Sequence, residues 1–151
     1  MVDHLKALFP KLKGAPFRVT SDRDHGYNCI ASAAGLTHQR WWPLENPDEA
    51  YWPAAVPRAT TLAAFQAAFA TLGYAVCENE ASEDGVEKIA LFADSTAVPR
   101  HAARQLPNGR WTSKLGKAED IEHDLHDLEG DVYGVVALLM KRSQPSSMPG
   151  I

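Results

Sequence analysis

The chain has 151 residues, 45% of them hydrophobic and 23% charged, with a net charge of −4. That length fits one domain with a core that needs no staple, and the composition excludes a disordered or fibrous chain. Charges of both signs are interspersed, so there is no basic footprint for nucleic acid or an anionic membrane, and no stretch approaches the roughly 20 apolar residues of a membrane span.

The first residues, including Asp3 and His4, lack an apolar secretory segment. The chain is therefore read as cytoplasmic, with export lacking a signal peptide left open. Cys29 and Cys77 are read as thiols rather than a bridge, since a chain of this size holds together without one.

Val2, Leu5, Leu8 and Phe9 have helix spacing, ended by Pro10. Residues 21–26 are dense in turn formers and lead into Tyr27-Asn28-Cys29-Ile30-Ala31-Ser32-Ala33-Ala34-Gly35. Asn28 is a good N-cap, the residues after it are small, and Gly35 is a stop, which places Cys29 in the first turn of a helix. Residues 38–60 hold Trp41, Trp42, Tyr51 and Trp52 among prolines and read as a long aromatic loop, plugging the core edge or covering a substrate.

Thr61 caps a helix with Leu62, Phe65, Phe69 and Leu72 on one face and Gly73 at its end. Tyr74 to Cys77 reads as a strand and Lys88 to Ala93 as a buried one. His101 to Leu106 and Arg110 to Leu115, joined by Pro107-Asn108-Gly109, read as a β-hairpin. Ala118 to Leu128 is polar, a short helix or loop, and Val132 to Met140 is a final strand. Residues 143–151 read as a disordered tail after a single domain over 1–142.

A thiol at a helix start is favoured as thiolate by the positive end of the macrodipole. It also needs an imidazole to take its proton and return it to a leaving group. Of the six histidines, His101 opens an ordered hairpin; His4, His25 and His38 lie near the terminus or in loops, and His123 and His126 share a charged segment. The Cys29 N–H, with Asn28 or Tyr27 as second donor, is the candidate oxyanion hole.

The Tyr27 to Gly35 segment, with His101-Ala102-Ala103-Arg104-Gln105-Leu106 and Trp111-Thr112-Ser113-Lys114-Leu115-Gly116, resembles a small bacterial family of unknown function over most of residues 15–142. That family in turn looks like papain-like or NlpC/P60-like thiol hydrolases. The resemblance implies an α+β, papain-like fold with the nucleophile helix packed on a small antiparallel β-sheet, a nucleophile at Cys29 and a base at His101. It implies a peptide, amide or acyl substrate and a cysteine peptidase, amidase or acyltransferase, without choosing among them. No cofactor is called for.

Such enzymes carry an orienter on the strand after the histidine, and Arg110-Trp111-Thr112-Ser113-Lys114 offers none of the usual kind. A two-residue Asn108-Gly109 turn puts Thr112 and Lys114 on the His101 face, and a lysine cannot accept the imidazole N–H. Ser113 serves if a bulge slips the register, His123 serves if it folds back, and a dyad is the remaining choice. The missing orienter motivates the alternative, a non-catalytic binding or accessory protein. Trp111 and the Ser113-Lys114 pair are read evenly as substrate-positioning or as packing and surface. His123 and His126, with Asp127 or Glu122, are read as a solvated face rather than a metal site.

Overall fold

Alternation of inward and outward residues builds one sheet from β1 (Arg18–Ser21), β2 (Ala75–Cys77), β3 (Val86–Ala93), β4 (Pro99–Gln105), β5 (Trp111–Lys114), β6 (Asp120–His123) and β7 (Val135–Ser143). The order is β1-β6-β5-β4-β3-β7-β2, and every neighbouring pair is antiparallel. The computed structural model describes residues 3–12, 17–21, 28–34, 41–43, 50–115 and 120–143. Helices α1 (Asp3–Leu8), α2 (Cys29–Ala33) and α3 (Leu62–Ala70) complete the architecture, with 3-10 turns at Pro10–Leu12 and Leu125–Leu128.

This corrects the papain-like expectation of a nucleophile helix on a small sheet. The seven-stranded antiparallel sheet dominates, and α2 is only five residues long. The physical reason lies in segments that look polar. In β6, Ile121 and His123 are buried while Asp120 and Glu122 are only half-buried, a strand pattern hidden by its charges. Residues 118–128, expected as a helix or loop, therefore supply a strand, and β1 pairs with it through Arg18↔Glu122 and Val19↔Ile121.

Two cores lie on the two faces of the sheet. On the first, α2 and α3 pack with Trp41 and Trp52 over Ile89, Leu91, Ala102 and Met140. On the second, Leu5, Phe9 and Leu12 pack with Leu125 and Leu128 over Ala90, Phe92, Ala103, Trp111 and Ile121. Thr61 caps α3 as expected, its Oγ1 accepting from Ala64 N at 3.1 Å, and buries Phe65 and Phe69 against the first core. Trp41 and Trp52, each 3% exposed, plug that core, and the described part of the aromatic loop holds a short parallel bridge between Trp41 and Tyr51.

The β4–β5 hairpin forms with a register one residue away from the two-residue turn. Gly109 N donates to Leu106 O at 2.9 Å and Leu106 N to Arg110 O at 2.7 Å, with Gly109 at φ +88°. A turn closed by a left-handed glycine adds a residue to the loop. The pairs become Arg104↔Thr112 and Gln105↔Trp111. A one-residue slip reverses every side chain. Trp111 and Ser113 thus share the His101 face, and Thr112 and Lys114 turn to the α2 face. β7 runs through Ser143, one residue past the expected domain end, and the remaining tail lies outside the described residues.

Candidate functional site

Cys29 is where the sequence places it, at the first position of α2, and is 8% exposed. Asn28 holds that position. Its Oδ1 accepts from Ala31 N at 3.1 Å and Trp41 N at 3.0 Å, and its Nδ2 donates to Trp41 O at 2.7 Å. One buried amide therefore both caps the helix and pins the aromatic loop beside the thiol. Tyr27, the other oxyanion-hole candidate, and Gly35, His25 and His38 lie outside the described residues. Asn28→Ala removes the cap and two further buried hydrogen bonds, each contributing about 1 kcal/mol. We expect a loss of about 3 kcal/mol in urea unfolding, and Asn28→Asp to keep the bonds accepted from Ala31 N and Trp41 N while losing the one donated to Trp41 O.

His101 is fully buried in β4 opposite Phe92. The strand start is set by Asp94, whose carboxylate accepts from Thr96 N at 2.9 Å, Val98 N at 3.1 Å and Arg100 Nε at 2.8 Å. The Thr96 hydroxyl, donating to the same carboxylate at 2.7 Å, and then those bonds hold the Asp94 carboxyl well below the usual carboxylate range. Neither ring nitrogen of His101 has a hydrogen-bond partner among the described residues. Burial foremost, and then the charge of His123, keeps the ring neutral, well below the ordinary histidine value.

Tyr133 is the residue that the sequence analysis missed. Its ring stacks on the imidazole at 4.0 Å between centroids and 4° between planes, with Phe92 edge-on to His101 at 5.2 Å and Phe9 at 5.0 Å from Tyr133. A five-residue loop delivers it, closed by Gly130 N to Gly134 O at 3.0 Å and Gly134 N to Gly130 O at 2.9 Å. Burial, and then the Cys29 sulfur, pushes the Tyr133 hydroxyl above its ordinary value, so it stays a donor. Tyr133 thus stacks on His101 and lies within electrostatic range of Cys29. The glycines at 130 and 134 were the available signal.

Cys29 and His101 themselves are not hydrogen-bonded to each other. Cys29 belongs to the core containing Leu91 and Ala102, whereas His101 turns with Phe92 to the other face. Ser113 and His123 are also on that second face and bond to each other, not to His101. His123 Nδ1 donates to Asp124 O at 2.8 Å, so the neutral ring accepts at Nε2 from Ser113 Oγ at 2.7 Å. Both residues are fully buried, which corrects the solvated-face reading for His123. His126 is half-exposed and bridges Glu80 and Glu129 at 3.0 and 3.1 Å. Among the described residues no group of three or more side chains is arranged to hold a metal ion.

Lys114 is fully buried on the α2 side of β5. Trp111 is core. Cys77, expected inside an apolar strand, is partly exposed on the edge strand β2 with Sγ 3.7 Å from Asn79 O, and neither cysteine forms a disulfide.

A family model described as a domain of unknown function (DUF7689) matches residues 18–141, the span from β1 into β7 that carries both Cys29 and His101. The chain belongs to this family. No curated protein and no solved structure matches the chain. The family match carries no papain-like relationship with it. No described helix is long and apolar enough to cross a membrane.

Proposed function

We propose that the chain is a thiol-dependent hydrolase or acyltransferase acting on a peptide, amide or acyl substrate, with Cys29 as nucleophile and His101 as base. The observation that carries the reading is the His101 ring, fully buried and neutral with both nitrogens unpartnered. Leaving a buried polar group unpaired costs about 1–3 kcal/mol, which an ordinary core position avoids by using an apolar side chain. His123, equally buried, has both nitrogens satisfied. In the reaction so proposed, Cys29 sulfur would attack the substrate carbonyl, with His101 as acceptor of the thiol proton and its donor to the leaving group, which requires the two side chains to approach across the sheet face that separates them in this structure. Water or a second acceptor then resolves the thioester.

A second reading, a non-catalytic binding or accessory protein, is favoured by the missing Cys29–His101 hydrogen bond and the closed aromatic stack around the ring. The pH dependence of Cys29 alkylation, paired with ultraviolet thiolate absorbance so that burial does not limit the readout, separates the two. In a Cys77→Ser background we expect an apparent thiol pKa well below about 8.5 that rises in His101→Ala. An ordinary thiol indifferent to His101 sinks the enzyme reading. A hydrolysis product that disappears in Cys29→Ala sinks the other.

A further inference from the structure

Away from Cys29, a groove of about 370 Å³ runs between residues 82–87 and the Arg104–Pro107 end of the hairpin. Its charges divide into two groups. Glu83 is 2.6 Å from the buried Lys88 and 3.8 Å from Lys141, and Glu87 is 2.9 Å from Arg142. Those carboxylates are neutralised within the protein. Lys88 is further satisfied by Asn79, through O at 3.0 Å and Oδ1 at 2.8 Å.

Arg104 and Asp84 are different. Among the described residues neither side chain makes a hydrogen bond or an ion pair, and Arg104 Nε is buried without a partner. Behind it the Tyr74 hydroxyl is also buried and unpartnered, and feels the Arg104 charge. A guanidinium presents a planar fork that matches a carboxylate, and a half-buried one without an acceptor is a vacancy for an anion. The unpaired Asp84 carboxylate on the same wall repels a dianion such as phosphate and attracts an ammonium.

We propose that this groove binds a small zwitterion, an α-amino acid or dipeptide, with Arg104 holding the carboxylate and Asp84 the ammonium. The site stands independently of the Cys29 reading. The test is a two-dimensional amide NMR titration of the full chain with glycine, acetate and inorganic phosphate as probes. Glycine is expected to shift amides of residues 82–87 and 104–107 saturably, several-fold more tightly than acetate, with phosphate giving no saturable shift there. Arg104→Gln should weaken glycine at least about tenfold and Arg104→Lys less, because lysine keeps the charge but loses the fork. Asp84→Asn should erase the advantage of glycine over acetate. Absence of saturable glycine shifts in the groove, or an Arg104→Gln chain that is folded and binds glycine like the parent, overturns the proposal. If Arg104→Gln does not fold, undiminished binding by Arg104→Lys together with an unchanged glycine-to-acetate ratio in Asp84→Asn overturns it instead.

Discussion

Gly134→Ala is expected to lower stability by about 4 kcal/mol. Gly134 has φ +78°, where a Cβ costs about 1–2 kcal/mol, and the added methyl would lie 1.9 Å from the Ala93 carbonyl oxygen and 2.5 Å from its carbon. Those are backbone atoms of the central strand β3, which cannot swing aside as a side chain does, so the clash adds about 1–3 kcal/mol of overpacking. Gly130→Ala is the control. Its φ of +153° brings backbone strain, but no atom lies within 4 Å of its added Cβ. Chemical unfolding of both variants checks this; equal losses would show that steric approach to Ala93 is not what demands glycine. The loop also sets Tyr133 on His101, so near-ultraviolet tyrosine dichroism should change in Gly134→Ala at temperatures where it stays folded.

Acid should destabilise the fold well before its carboxylates are protonated. Burial lowers His123 to about 4 and His101 well below its ordinary value of about 6.5. Both bind protons more readily unfolded than folded. The stability linked to them is fully present above about pH 6.5 and is lost as pH falls toward the folded values. For His123 alone that amounts to about 2 kcal/mol by about pH 5 and about 3 by about pH 4. His126 works in the opposite sense. Its value is raised, chiefly by the hydrogen bond to Glu80, so its contribution is present below about pH 6.5 and fades as pH rises; at half exposure it is small. Asp94 and Glu122 are lowered carboxyls and weaken the fold only below about pH 4.5. Urea unfolding between about pH 7.5 and 5 isolates the histidines. A flat profile there, or an unchanged slope in His123→Gln, would show that these rings are not the acid-sensitive groups.

Local chemistry made some elements legible and left others hidden. Thr61 with Phe65 and Phe69 announced α3, and Asn28 announced the start of α2, because caps and periodicity act within a few residues. The hairpin was visible but its register was not: whether Gly109 closes a two-residue turn or adds a left-handed residue is decided by strand twist, and that choice moved Ser113 onto the His101 face. β6 was invisible because Asp120 and Glu122 disguise the alternation that buries Ile121 and His123. The papain-like expectation rested on the order of a cysteine helix and a histidine strand, an order that does not specify how large a sheet stands between them. Tyr133 was hidden because its meeting with His101 depends on a loop geometry written only as two glycines four apart.

The outer strands carry a further consequence. One edge of the sheet is β2, three residues long, and the other is β1, four residues interrupted by a bulge between Val19 and Ser21. Long flat borders with unpaired amides are templates onto which another chain adds a strand. Here the long inner strands, β3 and β7 above all, are paired on both sides, and among the described residues the marginal strands are short and, at β1, kinked, which makes them poor templates. Along its described residues, a sheet of this width thus offers little edge for strand addition, without a barrel closure to seal it.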